Sequence, residues 1–158
     1  MIISIIAAVA KNRAIGYKNK LLYSIGDDMK RFKALTTGHT VIMGRKTFES
    51  LPFGALPNRR NIVVSNSKKH IDGCECMNSI NDAIHSCKNE DEIFIIGGGE
   101  IFKQTLEIAD RLELTHVELD VQGDAHYPAI PSSFQKVASE QHIDDKTGIA
   151  FEFATYQK

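Results

Sequence analysis

Apolar residues along this chain fall into short blocks separated by polar stretches. Ile2–Val9 is a continuous, isoleucine-rich run interrupted only by Ser4, the pattern of a strand covered on both faces. Similar blocks predict strands at Thr40–Met43, Asn61–Ser65, Cys74–Met77, Glu92–Ile96 and Arg111–Glu118. Helical patterns lie between them. Asp27–Thr36 has an acid at its start and Gly38 just past its end; Arg45–Leu51 is short; Ser79–Cys87 opens on Ser79 with Asp82 three residues on; Glu100–Ala109 is the last. Residues from Asn12 to Ser24 show little periodicity and read as a loop. The chain closes with two long strands, Phe134–His142 and Ile149–Tyr156, around a turn at Asp144-Asp145-Lys146-Thr147-Gly148. Strands alternating with helices and ending in a hairpin predict an α/β fold: a mostly parallel sheet with an antiparallel edge and helices on both faces. No repeat or linker interrupts the pattern, so residues 1–158 are expected to form a single domain.

Composition narrows the function classes. At 158 residues and 42% hydrophobic, the chain can bury one core but hardly two. Nineteen Lys+Arg against twenty Asp+Glu exclude a strongly basic body of the kind that grips nucleic acid, though not a local cluster of cations. Met1–Ala10 is too short to span a bilayer, and its cations Lys11 and Arg13 follow the apolar run instead of preceding it, so neither a membrane span nor a secretory signal is expected. Cys74, Cys76 and Cys87 are odd in number and lack zinc-type spacing to histidine, which points to free thiols in a reducing cytoplasm and to no metal.

Three segments carry candidate chemistry. In Ile96-Gly97-Gly98-Gly99-Glu100-Ile101-Phe102 a buried strand meets three glycines and then a helix. Absent Cβ atoms let backbone approach a ligand, and a helix start offers unpaired N–H groups, so this is either a phosphate cradle or a tight turn without a ligand. In Val41–Leu51, Arg45 and Lys46 open a helix, where the helix dipole disfavours positive charge. Either an anion is shared there with Thr47, or both are solvated surface cations. In the third segment Asp28, Phe32 and Leu35 stand at i, i+4 and i+7 on one helix face. Asp28 then either caps the first turn or faces a cleft, where it suits a pair of amidine-like nitrogens. Arg59 and Arg60 read either as carboxylate binders at a pocket mouth or as loop charges. Lys68-Lys69-His70 is a short basic cluster, and His116, mid-strand beside Thr115, reads as structural.

Taken in order, these segments resemble the bacterial-type dihydrofolate reductase family over nearly the whole chain. The resemblance rests on Ile6-Ala7-Ala8, Ala14-Ile15-Gly16, Asp28-Met29-Lys30-Arg31-Phe32-Lys33, Val41 to Ser50, Pro57-Asn58-Arg59-Arg60-Asn61, Ile96-Gly97-Gly98-Gly99, Leu114-Thr115-His116 and Gly123-Asp124-Ala125-His126-Tyr127-Pro128. It implies an eight-stranded fold that reduces 7,8-dihydrofolate with NADPH, by hydride transfer to pteridine C6 and water-delivered protonation at N5, in a cytoplasmic monomer.

The resemblance also implies residue roles. Asp28, supported by Thr115, would pair with the pteridine N3 and 2-amino group, and Leu21 and Tyr23 would complete the catalytic centre. Ile6, Ala8, Met29, Phe32, Leu51, Leu56 and Ile96 would line the cleft, and Arg59 would clamp the α-carboxylate of the glutamate tail. Gly44, Arg45, Lys46 and Thr47, together with Gly97, Gly98, Gly99, Glu100, Ile101 and Phe102, would hold the cofactor. Ala8, Ile15, Gly16 and Ile96 would flank it, with Ser65, Asn66 and Arg45 near its 2′-phosphate. The Gly97-Gly98 bond would be cis, and the Asn12–Ser24 loop would be a lid. Two departures stand out: Leu22-Tyr23 where the family usually has Pro-Trp, and Phe102 where many members have tyrosine. Rival readings are a reductase of the same fold acting on another pterin or a pyrimidine, and a non-catalytic dinucleotide-binding module.

Overall fold

The computed structural model describes residues 1–17, 20–21, 26–67, 70–119 and 125–158, with residues 16, 17, 20, 21 and 125 described by backbone alone. Among them the order is β1 (Ile2–Ala10), β2 (Ala14–Tyr17), β3 (Lys20–Leu21), α1 (Gly26–Thr36), β4 (Thr40–Gly44), α2 (Arg45–Ser50), β5 (Arg60–Val64), β6 (Cys74–Met77), α3 (Ile80–His85), β7 (Glu92–Gly97), α4 (Gly99–Thr105), β8 (Arg111–Val117), β9 (Ala125–His126), β10 (Gln135–Ile143) and β11 (Ala150–Gln157). Eight strands form one sheet in the order β10-β11-β8-β1-β7-β4-β5-β6. Pairs from β8 to β6 are parallel, and β11 joins β8 and β10 antiparallel, as expected from alternating strands closed by a hairpin.

Period-two alternation along the strands sorts the core into two layers. Ile5, Val9, Ile42, Ile62, Ile93, Ile95, Leu112 and Leu114 face α3 and α4, meeting Ile80, Ala83, Ile101 and Phe102. Their neighbours Ile6, Val41, Met43, Val63 and Phe94 face the other way, against Phe32 and Leu35 of α1 and Phe48 of α2. Helices therefore cover both faces. β1 is paired along both edges, by β7 and β8, and covered on both faces, with Ile5 and Val9 in one layer and Ile6 in the other.

Boundaries follow local chemistry. Ser79 caps α3, its Oγ accepting from the Asp82 N–H at 3.0 Å. Past α1, Gly38 adopts φ +85° and donates to the Asn58 carbonyl, turning the chain into β4. Two expectations need correction. The Asn12–Ser24 segment is not simply a loop: β2 pairs with β3 and with β9 in a second, three-stranded sheet. Strands of four and two residues are too short to show a hydrophobic period. α4 ends at Thr105 and not at Ala109, with residues 106–108 forming a turn. There the Thr105 hydroxyl bonds back to the Ile101 carbonyl at 2.8 Å, competing with the helical ladder. No helix among the described residues is long and apolar enough to cross a membrane.

Candidate functional site

Adjacent parallel strands β4 and β7 both end in glycine and run straight into helices, at the carboxyl edge of the sheet where open α/β folds bind ligands. Met43 pairs with Gly97, so the Gly44–α2 and Gly97–α4 turns open side by side. The Gly97-Gly98 peptide is cis, as the resemblance implied, and Gly97 has φ +128°. A Cβ on Gly98 would lie 3.2 Å from Thr47 Oγ1, and one on Gly99 would lie 3.1 Å from the His126 carbonyl of β9. Ile15 of β2 approaches the same spot, its Cδ1 3.8 Å from that Gly99 position. Neither Gly44 nor Gly98 can cap its helix with a side chain, so two neighbouring helix starts lack a side-chain cap from their N-cap residue. Such a donor set fits a dinucleotide's phosphates.

Around these turns the cations and flanking groups are arranged as follows. Arg45 Nη1 bonds both carboxylate oxygens of Glu49, each at 3.0 Å, while Lys46 is exposed. Glu100 is exposed, so its carboxylate does not crowd the first turn of α4. Ile101 and Phe102 are buried, with Phe102 packed on Tyr127 at 5.2 Å between ring centroids. Beyond β5, Ser65 is buried and accepts from the Ser67 N–H at 3.3 Å, while Asn66 is exposed.

On the α1 face of the sheet, Thr115 Oγ1 donates to Asp28 Oδ1 at 2.5 Å. This contact turns the Asp28 side chain across to β8. Thr115 pairs in register with Ala8 of β1 and with Phe153 of β11, so Ala8 and Ile6 floor the wall beneath Asp28. Burial pushes the Asp28 carboxyl above the ordinary carboxylate range, opposed by the Thr115 hydrogen bond and the nearby Arg31 charge.

Further along α1 a groove of about 310 Å³ is lined by Met29, Lys30, Phe32, Lys33, Leu56 and Arg59. Its floor is apolar and its charged groups are all cations. Arg59 Nη1 donates to Thr36 Oγ1 at 3.1 Å and its guanidinium carbon lies 5.9 Å from the Phe32 ring centroid. Leu51, Leu56 and Ile96 pack in the same layer as Phe32. Arg60 points elsewhere: Glu75 and Glu90 bind it at 2.6 and 2.8 Å, which makes it a structural cation.

Sequence spacing alone did not reveal three of the groups that shape this site. Asn61, 3% exposed, clamps the 56–59 segment through the Leu56 N–H and the Leu56 and Arg59 carbonyls, each at 2.9 Å. Thr36 anchors Arg59. Arg31 pairs with Glu113 beside Asp28, at 2.5 Å. An asparagine between Pro57-Asn58-Arg59-Arg60 and an apolar strand is the signal the sequence offers for the first; the other two depend on chain-distant contacts. Tyr23 and the basic pair Lys68-Lys69 lie outside the described residues, and so does Asp124. Gly16 and Leu21 are placed by backbone only, paired across β2 and β3. His116 is structural, with Nε2 2.8 Å from the Tyr156 hydroxyl. It belongs to a separate cleft of about 540 Å³ against β11 that holds none of the candidate residues.

Comparison with known proteins agrees with this geometry. The family model described as dihydrofolate reductase matches residues 2–158. The chain is 40% identical over 159 residues to the dihydrofolate reductase of Bacillus subtilis (strain 168), covering 99% of this chain and 94% of that protein. It is 41% identical over 157 residues to the dihydrofolate reductase of Neisseria meningitidis serogroup A, covering 98% and 96%. With the type 3 dihydrofolate reductase of Salmonella typhimurium it shares 40% identity over 161 residues, covering 100% and 99%. A full-length match, an eight-stranded sheet of this order and a cis Gly97-Gly98 turn converge on one conclusion: the chain belongs to the dihydrofolate reductase family.

Proposed function

We propose that this enzyme reduces 7,8-dihydrofolate to 5,6,7,8-tetrahydrofolate using NADPH. The observation that carries the reading is Asp28, a half-buried carboxylate held by Thr115 at one end of an apolar wall whose other end is a groove of cations. A dihydrofolate molecule has the complementary order: amidine nitrogens, a flat ring system, and a glutamate tail.

In this reading Asp28 accepts from N3 and the 2-amino group, two charge-assisted hydrogen bonds that fix the ring in register. Ile6, Ala8, Phe32, Leu51, Leu56 and Ile96 exclude water from the ring, and Met29, 48% exposed, covers its outer edge. Arg59, oriented by Thr36 and by the Asn61 clamp, takes the α-carboxylate. Gly44 to Thr47 and Gly97 to Phe102 hold the cofactor's phosphates and nicotinamide half, while Ile15 and Gly16 of β2 close over the triplet. Arg45 exchanges Glu49 for the 2′-phosphate, next to Ser65 and Asn66. When bound, NADPH supplies the hydride that reduces pteridine C6. Water delivers the proton that N5 gains, and the Asp28 charge favours the protonated ring. Leu21 and Tyr23 complete the catalytic centre, the roles the family resemblance implies for them.

The test is the loss of NADPH absorbance when dihydrofolate is added, repeated with NADH. Turnover with NADPH and a much higher KM for NADH are expected. NADPH binding without dihydrofolate-dependent oxidation would sink the reading.

A further inference from the structure

The wall behind Asp28 contains a second pair of charges that the proposed reaction does not use. Glu113 lies mid-strand in β8, two residues before Thr115 and on the same face, and is 7% exposed. Arg31 lies one helical turn after Asp28 on α1. Its Nη2 meets Glu113 Oε2 at 2.5 Å, and its guanidinium carbon sits 4.7 Å from the Phe153 ring centroid on β11. Glu113 also accepts from Thr155 Oγ1 at 2.8 Å, and Thr155 is its register partner on β11. α1 is thus tied to β8 by two parallel rungs, Asp28–Thr115 and Arg31–Glu113. Among the described residues, the charge acting on Asp28 is Arg31 from its own helix; Glu113 of β8 is bound to that guanidinium, and β11 packs Phe153 and Thr155 against the pair.

A buried ion pair adds little net stability over an apolar pair of the same volume, because desolvation offsets the attraction. It does set a strong local field where screening by solvent is poor. We propose that the Arg31–Glu113 pair is a positioning device for Asp28, holding α1 on β8 and setting the pH at which the Asp28 carboxyl ionises. Arg31 alone favours the carboxylate; Glu113 moderates that charge and keeps the guanidinium stacked on Phe153 and out of the ligand cleft. The pair acts through Asp28 and touches no reacting atom. Its catalytic consequence rests on the function proposed above, whereas its effect on the Asp28 titration does not.

The experiment is a carbon-13 carboxyl NMR titration of the ligand-free enzyme, with the Asp28 resonance identified by its loss in Asp28→Asn. Glu113→Gln leaves the Arg31 charge unopposed and is expected to move the Asp28 midpoint down by about one pH unit. Arg31→Met removes the cation and leaves Glu113 uncompensated, moving the midpoint up by a similar amount. Arg31→Lys keeps the charge and is expected to return the midpoint to within a few tenths of a unit of the parent. In each variant the acid limb of kcat/KM follows the same displacement. Midpoints that move in the same direction in Glu113→Gln and Arg31→Met, or that do not move, overturn the proposal, as does a Lys variant that behaves like the Met variant. If Arg31→Met does not fold, Glu113→Gln decides alone: a lower midpoint supports the proposal and an unchanged or higher one overturns it. Because the titration needs no substrate, its outcome is separable from a failure of the dihydrofolate reading, which turnover would report.

Discussion

Replacing Thr115 by valine removes one hydroxyl from a position that is 1% exposed and changes the side-chain shape very little. That hydroxyl is the one hydrogen-bond donor to Asp28 found among the described residues, at 2.5 Å. A hydrogen bond to a charged group contributes about 1.5–3 kcal/mol and one to a neutral group about 0.5–1.5 kcal/mol. The ionised form of Asp28 therefore loses roughly 1–1.5 kcal/mol more than the protonated form, which raises its midpoint by about one pH unit. Burial already holds the folded-state value above that of the unfolded chain. Stability consequently falls as pH rises from the unfolded value through the folded one, where the native state alone still holds the proton. Thr115→Val extends that window upward. The expected result in urea unfolding is a small deficit near pH 4 that grows by about 1–1.5 kcal/mol once pH exceeds the variant's folded midpoint. The acid limb of kcat/KM is expected to move up by about one pH unit with it. An equal deficit at both pH values, with an unmoved limb, would refute the assignment of the Thr115 bond to the ionised carboxylate.

Other substitutions address the remaining parts of the site. Gly98→Ala keeps an allowed backbone (φ −88°) but sets a methyl 3.2 Å from Thr47 Oγ1. Overpacking of about 1–3 kcal/mol should raise the KM for NADPH by roughly tenfold or more while the KM for dihydrofolate changes less; an unchanged NADPH value contradicts the cradle. Arg59→Met retains the stem beside Phe32 and loses the guanidinium, so the KM for dihydrofolate should rise about 10–100-fold with a smaller change in kcat. Steady-state kinetics showing the loss in kcat alone would place Arg59 outside the tail site. Asn61→Ala strands the half-buried Leu56 N–H and carbonyl and should cost about 1–3 kcal/mol in chemical denaturation, with a raised KM for dihydrofolate as Arg59 loosens. In the control, Arg60→Ala, stability is expected to change but not that KM, since Glu75 and Glu90 hold Arg60 away from the groove.

Much of this architecture is legible from the chain because its strongest signals are local. Ile2–Val9 reads as a central strand since both faces of β1 meet core, and Gly38 and Ser79 mark helix ends by backbone freedom and a single side-chain acceptor. The glycine triplet announces a strand-to-helix turn for the same reason. What the sequence hides is contact between distant segments. Asp28 has the same spacing whether it caps α1 or faces a cleft; only Thr115, 87 residues away, separates the two. Arg31 and Glu113 each look like surface charges until the α1–β8 contact brings them together across 82 residues. Arg59 and Arg60 are adjacent in sequence yet serve a groove and an ion pair respectively, because consecutive residues entering β5 diverge. β2, β3 and β9 escape notice because strands of two to four residues carry no period and hold their place by pairing with one another.

Asp28 is the carboxylate proposed to hold the substrate ring, and no other residue bears as much on the proposed activity. The direct measurement is kcat/KM for dihydrofolate with Asp28→Asn, followed from acid to neutral pH. Loss of two charge-assisted hydrogen bonds of about 1.5–3 kcal/mol each predicts a fall of roughly 10²–10⁴-fold at neutral pH, with the Asp28 limb gone from the profile. Turnover within about threefold of the parent, with the limb unchanged, would contradict it.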